Sequence, residues 1–305
     1  MRKRWHIFLA GALLIFVGIV YFDPTRVLIG LLRGEGFYRG RPTAYWAKTL
    51  EDENPSIQEK TFQALVEGKK DAVPVVVALL QNHQKMDWRD VEVRWKAATI
   101  LGRIGPDAEP AVSALIDALK DTDSHVRRVA AASLGAIAPH RVDAVEALIP
   151  LLKTGDRVVA AEALAHFGPR ASLAVPALIQ LMGDSDEDVR WNAADALGQI
   201  GPEARDAVPR LIAALKDESA EVREHSAESL GQIGAEPDSV VPALVATLKD
   251  ENAKVRRDAA RSLGQFGPRA RTALSAVQAL SKDTSDSVRE AAAKSLLQID
   301  PSLRK

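Results

Sequence analysis

The stretch "VRWNAADALGQIGP" at residues 189–202 returns, with its apolar positions kept, as "VREHSAESLGQIGA" at 222–235 and as "VRRDAARSLGQFGP" at 255–268. The polar residues change between copies. The leucine of the "LG" phrase marks each copy, with one longer and one shorter interval among otherwise regular ones. The leucines are Leu65, Leu101, Leu134, Leu164, Leu197, Leu230, Leu263 and Leu296. A regular period of about 33 residues indicates an array of structural repeats.

Each period is predicted to hold two amphipathic helices, because apolar residues recur three and four positions apart in both of its halves. A Gly-Pro pair such as Gly201-Pro202 ends the second helix, and Pro209 fits the first turn of the next one. One helical pair cannot bury its own apolar stripe, whereas a stack of similar pairs makes one continuous core. The sequence therefore predicts an all-α array of about eight helical hairpins over residues 43–305.

The repeated pattern V-R-x-x-A-A-x-x-L-G-x-I-G-P resembles HEAT repeats, in the short form shared with phycobilisome-lyase-type HEAT proteins. The resemblance covers residues 43–300. It implies a right-handed α-solenoid of the armadillo-type class, with first helices on the convex side and second helices on the concave side. It implies little about chemistry, because such arrays serve many functions.

The N-terminus predicts a membrane anchor. Three basic residues precede an uncharged run from Ile7 to Phe22, with Trp5 at its start. We expect residues 1–22 to form an uncleaved hydrophobic helix that enters the membrane through residues 5–22, with residues 23–42 as a linker. The basic start favours a cytoplasmic N-terminus and repeats outside the cytoplasm. The alternative is a signal peptide, whose cleavage would leave a secreted or periplasmic protein.

Composition excludes several kinds of site. The chain has no cysteine, which removes disulfides, thiol catalysis and cysteine–zinc sites, and its net charge of −1 gives no reason to expect nucleic acid.

Deoxyhypusine hydroxylase resembles this architecture and binds two irons through His-Glu pairs, but none of the six histidines here precedes a glutamate. The phrase Gly-Gln-Ile-Gly lies at the end of a helix, where glycine ends helices, so it is not a phosphate loop. We expect no metal, no cofactor and no catalytic residue, although a catalytic or cofactor-handling protein, bilin-lyase-like or oxidoreductase-like, stays an alternative.

An arginine follows the first valine of the pattern in most periods, and an aspartate lies five residues before that valine in many. The aspartates are Asp121, Asp184, Asp217, Asp250 and Asp283. The arginines are Arg94, Arg127, Arg157, Arg190, Arg223, Arg256 and Arg289. Because a guanidinium group has five donors in a fixed fork, the row is interpreted as a structural ladder that joins the loops of adjacent pairs. A row that binds a ligand is the alternative. A glutamine row receives the same structural interpretation: Gln199, Gln232, Gln265 and Gln298.

Candidate partner-binding residues are those on the second helices that depart from the repeat. They lie two and six positions after the valine, one helical turn apart and on one face. The candidates are Trp95, Arg128, Trp191, Asp195, Glu224, Glu228, Arg257 and Arg261. Exposed tryptophans are common binding hot spots, but each can also lie flat on the neighbouring repeat. The sequence thus favours a membrane-tethered scaffold for an unidentified protein partner, with a purely structural spacer as a further alternative.

Overall fold

A computed structural model describes residues 27–81 and 88–304 of the chain. The predicted anchor at residues 1–22 lies outside the described residues, as does most of the insert that lengthens the second pair. In the part of the chain that is described, no helix is both long enough and apolar enough to cross a membrane. The helices divide into two compact units, Met1–Ile137 and Ala138–Lys305.

Over residues 27–81 and 88–137, the first unit contains three helical pairs. A short helix and a two-stranded antiparallel hairpin precede them: α1 (Val27–Leu32), β1 (Phe37–Tyr38) and β2 (Arg41–Pro42). The pairs follow in chain order: α2 (Thr43–Leu50) with α3 (Pro55–Glu67), α4 (Lys69–Leu80) with α5 (Trp88–Ile104), and α6 (Val112–Ala118) with α7 (Ser124–Ile137). Helix α5 packs against α3 and α7, so the second helices stack on one another.

Over residues 138–304 the second unit contains five pairs, so the described residues hold the eight pairs expected from the period. They are α8 (Val142–Leu148) with α9 (Arg157–Ala165), α10 (Val175–Leu181) with α11 (Glu187–Ile200), α12 (Val208–Ala214) with α13 (Ala220–Ile233), α14 (Pro237–Thr247) with α15 (Ala253–Gln265), and α16 (Leu274–Ala279) with α17 (Asp286–Ile299). Each second helix packs on the next, from α9 through α11, α13 and α15 to α17. Helix α9 is the shortest second helix of this unit, and it follows the loop near Gly155 that is shorter than in the other periods.

The repeated apolar residues form the core of each unit. In the second unit Leu197, Leu230 and Leu263 are fully buried, whereas Leu296 of α17 is half-buried. Full burial of one leucine side chain contributes about 1.5–3 kcal/mol. The stacked core therefore explains why these positions stay apolar while their neighbours change.

The two glycines of Gly-Gln-Ile-Gly have different roles. Gly201 ends α11 with a φ of 75°, as a helix-ending glycine does. Gly198 instead lies inside α11, where a Cβ atom would come within 2.5 Å of the Ser229 hydroxyl on α13 and would also meet the Gln232 side chain. The expectation that this phrase simply ends a helix was therefore incomplete, because its first glycine lets two second helices pack closely.

The described part of the predicted linker is folded. Tyr38 on the hairpin is buried and its ring lies 5.5 Å from that of Trp46 on α2. The Glu35 carboxylate accepts a hydrogen bond of 2.8 Å from the backbone N–H of Ala44, which caps the start of α2. A carboxylate at a helix N-terminus is favourable because the unpaired N–H groups there carry a partial positive charge. Residues 27–42 thus cover the first helical pair.

Candidate functional site

The arginine row of the second unit joins consecutive loops. Arg223 on α13 donates two hydrogen bonds, of 2.8 and 3.0 Å, to the Asp250 carboxylate of the next inter-helix loop. Its remaining Nη1 donates to the carbonyl oxygens of Asp217 and Glu218 in its own loop, at 2.9 and 3.1 Å. Arg190 and Arg256 make the corresponding bonds one period earlier and later. Each rung therefore fastens a loop to its neighbour through a bidentate ion pair.

The aspartates of the rungs also order their own loops. Asp250 accepts the backbone N–H of Asn252 at 2.8 Å, and Asp217 accepts that of Ser219 at 3.0 Å. Burial raises the pKa of Asp250, but the bonds from Arg223 and from the Asn252 amide outweigh it and hold the pKa below its ordinary value. The Asp250 carboxylate raises the pKa of Arg223 in return. Both groups are therefore charged at neutral pH.

The other arginines of the row bind carboxylates, loop carbonyl oxygens or both. Arg94 binds Asp121 at 2.7 Å in the first unit, and Arg157 binds Asp184 at 3.0 Å in the second. The Nη1 of Arg127 donates to the carbonyl oxygens of Asp121 and Thr122 in its own loop. Arg289, on the last helix, bonds the Asp283 carbonyl and the Asp286 carboxylate of its own pair.

A continuous polar surface crosses α11, α13, α15 and α17 of the second unit. It consists of the residues two, six and ten positions after the repeat valine, which one helix face presents at i, i+4 and i+8. We call this surface the polar strip. Its members are Trp191, Asp195, Gln199, Glu224, Glu228, Gln232, Arg257, Arg261, Gln265, Glu290, Lys294 and Gln298. All of them are exposed or half-buried, in contrast to the buried positions between them.

The first part of the polar strip is aromatic and acidic. The Trp191 ring stacks on His225 of the next second helix, with ring centroids 4.9 Å apart and planes inclined by 24°. The Trp191 Nε1 donates to the Asp188 carboxylate at 3.0 Å. His225 Nδ1 lies 3.8 Å from Asp195 Oδ1, and this carboxylate, against the effect of burial, raises the pKa of His225. Trp191 thus lies against the neighbouring repeat and stays half-exposed.

The second part of the polar strip is basic. Arg257 donates to Glu224 at 3.0 Å and forms a fork with Asp258, at 2.9 and 2.6 Å. Arg261 donates to the same Asp258 carboxylate at 3.4 Å. The Asp258 side chain is only 3% exposed, whereas that of Arg261 is 58% exposed. Burial, followed by the Asp258 charge, raises the pKa of Glu224. One buried carboxylate therefore orients two arginines.

The remaining candidates lie in the first unit. Trp95 on α5 is half-buried and meets His125 of α7 edge to face, with centroids 5.1 Å apart. The Lys96 ammonium lies 5.7 Å from the centre of the Trp95 ring. Arg128 on α7 is exposed. These side chains lie on second helices as expected, and Trp95 packs on the neighbouring pair.

Sequence reasoning missed a row of buried or half-buried polar residues three positions after the repeat valine. Lys96, Asn192, His225 and Asp258 occupy this position, where three other periods have valine or alanine. Lys96 Nζ donates to the Leu50 carbonyl at 2.7 Å and to Gln58 at 2.9 Å. A polar residue at this position departs from the apolar pattern of the repeat and is visible in the sequence. In the second unit, His225 and Asp258 at this position contact and orient side chains of the polar strip.

The described residues offer no cluster of three or more His, Cys, Asp or Glu side chains that could hold a metal ion. The groups with shifted pKa values are mainly members of the ion pairs above.

The stacked pairs define a helical-hairpin repeat protein, and comparison with known proteins identifies the family. The family model for HEAT repeats matches residues 84–165, 155–207, 175–246 and 241–302, which is most of the chain. The chain therefore belongs to the HEAT-repeat family. No protein of curated function matches its sequence.

The fold has a counterpart among solved structures. An engineered protein matches with a TM-score of 0.53 and 25% sequence identity, covering 84% of this chain and 78% of its own. A second engineered protein reaches a TM-score of 0.41 at 22% identity, covering 85% of this chain and 96% of its own. Human deoxyhypusine hydroxylase in complex with glycerol reaches 0.35 at 23%, with the same coverages of 85% and 96%. Only the first of the three scores supports a shared fold.

Proposed function

We propose that this HEAT-repeat protein is a scaffold whose polar strip binds a segment of a protein partner. The observation that carries the proposal is the separation of roles on the second helices. The arginine ladder and the leucines make contacts between repeats, whereas the strip is not buried and, apart from its row of glutamines, differs from one repeat to the next. A scaffold needs a uniform core and a variable surface, and these helices have both.

The strip has the composition of a binding surface. It carries a half-exposed tryptophan, Trp191, whose indole is held in place by Asp188 and His225. A side chain ordered before binding loses less conformational entropy when a partner covers it. Acidic residues on α11 and α13 lie beside basic residues on α15, so the surface favours a partner of complementary charge order.

The proposal extends to the membrane and to the shape of the array. Residues 5–22 tether the scaffold to the membrane, and the helical pairs follow the right-handed solenoid of similar repeats, with second helices on the concave face. Support comes from the basic start and the uncharged run Ile7–Phe22. Membrane fractionation after a high-salt wash, with N-terminal sequencing, tests the tether. A mature N-terminus near residues 23–40 in a soluble fraction would refute it and favour a secreted or periplasmic protein.

The test of partner binding uses the full chain with an affinity tag and quantifies co-purified proteins by mass spectrometry. Replacing both Trp191 and Glu228 with alanine should remove the partner while the helical circular-dichroism signal stays unchanged. Arg170→Ala, at an exposed arginine outside the strip, is the matched control and should capture the partner normally. Loss of partner only in variants that also unfold would support a structural spacer. A stoichiometric bound tetrapyrrole or iron would support the cofactor-handling alternative.

A further inference from the structure

A groove lies between the second helices α15 and α17, at the basic part of the polar strip. Its volume is about 380 Å³. The side chains that matter for recognition are Arg257, Arg261, Gln265, Glu290, Lys294 and Gln298. The lining thus combines three cationic side chains with one carboxylate and two amides.

Two arginines of the groove form hydrogen bonds within the protein before any ligand arrives. Arg257 is held by Glu224 and Asp258, and Arg261 by Asp258 alone. A guanidinium group has five N–H donors, so both side chains keep donors for a ligand after these bonds are made. Because Asp258 is buried, its charge orients the arginines from below rather than competing for a ligand at the surface. The preorganised arginines favour a planar carboxylate, which accepts two parallel bonds.

The opposite wall adds a further cation and hydrogen-bond donors. Lys294 on α17 is exposed, and within the described part of the chain no carboxylate pairs with it. The amides of Gln265 and Gln298 line the same groove and can donate to a carbonyl or a carboxylate. Glu290 opposes an anion, but it is outnumbered by the cations around it. The groove therefore suits a ligand that brings carboxylates together with backbone carbonyls.

We propose that this groove binds an acidic segment of the protein partner, with carboxylates paired to Arg261 and Lys294. The assignment rests on the proposed function, since it names the partner's chemistry at the same strip. The order of acidic and basic residues along the strip favours a peptide ligand over a nucleic acid. Asp195 and Glu228 lie on the adjoining helices of the strip and would repel the continuous phosphates of an RNA strand. A peptide, in contrast, can carry carboxylates only where it occupies the groove and uncharged residues elsewhere.

The test measures fluorescence anisotropy of a fluorescein-labelled decapeptide of alternating Glu and Gly, titrated with the full chain in detergent micelles. We expect saturable binding that weakens as salt rises from about 50 to about 300 mM, since exposed charges are screened over about 8–10 Å at physiological ionic strength. Arg261→Glu and Lys294→Glu should each weaken binding at least tenfold. Arg170→Glu makes the same charge change outside the groove and should leave affinity within twofold.

A positioning variant separates the oriented site from simple charge attraction. Asp258→Asn keeps the size of the side chain but loses the carboxylate that holds both arginines, and it should weaken peptide binding three- to tenfold. If this variant unfolds, the exposed Lys294→Glu change decides the question alone.

Three outcomes overturn the assignment: no saturable binding, equal loss with Arg170→Glu, or tighter binding of a single-stranded RNA of equal charge. If the peptide fails to bind while partner capture still needs Trp191 and Glu228, the groove assignment is wrong and the scaffold proposal stands. If the peptide binds but capture of the partner does not depend on Trp191 and Glu228, the scaffold proposal is wrong.

Discussion

Replacing Arg223 with alanine should loosen the middle of the second unit. The change deletes two bonds to Asp250, of 2.8 and 3.0 Å, and two bonds to loop carbonyls. It also leaves the Asp250 carboxylate without its partner, at a side-chain exposure of only 11%. Removing one member of a buried ion pair costs about 3–5 kcal/mol. Because some water reaches both groups and Asn252 still donates to Asp250, we expect a loss of about 3 kcal/mol.

The assay is urea unfolding of the full chain in detergent, followed by circular dichroism, with amide exchange to locate the loss. Energies in repeat arrays are mostly nearest-neighbour terms, so α13 and α15 should lose protection first. Arg223→Lys keeps the positive charge but lacks the forked donors of a guanidinium group, so it should recover part of the unfolding free energy that Arg223→Ala loses. The exposed Arg170→Ala should stay within about 0.5 kcal/mol of wild type. A loss below about 1 kcal/mol for Arg223→Ala, or an even loss of protection throughout the unit, would refute the ladder's role.

The ladder also predicts a direction of pH dependence. The folded pKa of Asp250 lies below its ordinary value of 3.8. Its stabilisation is therefore fully present above that ordinary value and is lost as the pH falls through the folded pKa. Wild type and Arg223→Ala should differ most near neutral pH and converge in acid. A constant difference down to about pH 2 would show that the Arg223–Asp250 charge pair is not the source of the effect.

Three further changes test the packing and the strip. Leu197→Ala should cost about 2–5 kcal/mol in urea unfolding, since it leaves a cavity in a fully buried position, and a near-zero cost would contradict this packing. Gly231→Ala forces a Cβ into the neighbouring helix and should lower the melting temperature, whereas Gly155→Ala, with open space around it, should not; equal melting temperatures would argue against close helix approach. His225 has a raised pKa, so its contribution should be full below its ordinary value of 6.5 and lost as the pH rises through the folded pKa. Asp195→Asn should reduce that pH dependence in unfolding measurements, and an unchanged pH profile would count against their pairing.

The repeat period predicted most of the array because the core positions are set by helix periodicity alone. Eight pairs, the buried leucines and the spacing between the arginines and the loop aspartates all follow from the sequence. The helix-packing role of Gly198 did not follow, because it depends on Ser229 and Gln232 of the second helix in the next period. Contacts between periods are not visible in the pattern of a single helix.

For the candidate site, the sequence predicts only which face of the second helices carries it. The two tryptophans were expected on second helices, but their histidine partners differ: one precedes the repeat valine and the other follows it by three positions. The repeat pattern alone does not single out Asp258, although it is the carboxylate that orients Arg257 and Arg261. A polar residue at a normally apolar repeat position was the available signal. Such residues are retained where their hydrogen-bond partners are fixed, and only three-dimensional packing reveals those partners.

The central claim is that the polar strip binds the partner, and site-specific photocrosslinking tests it most directly. A photoreactive phenylalanine analogue is placed at position 191 in the strip or at position 173, an exposed leucine of the same unit outside it. Irradiation in cells followed by mass spectrometry should yield one defined protein adduct from position 191 and none from position 173. The same adduct from position 173 alone, or no protein adduct from position 191 in folded protein, would contradict the account.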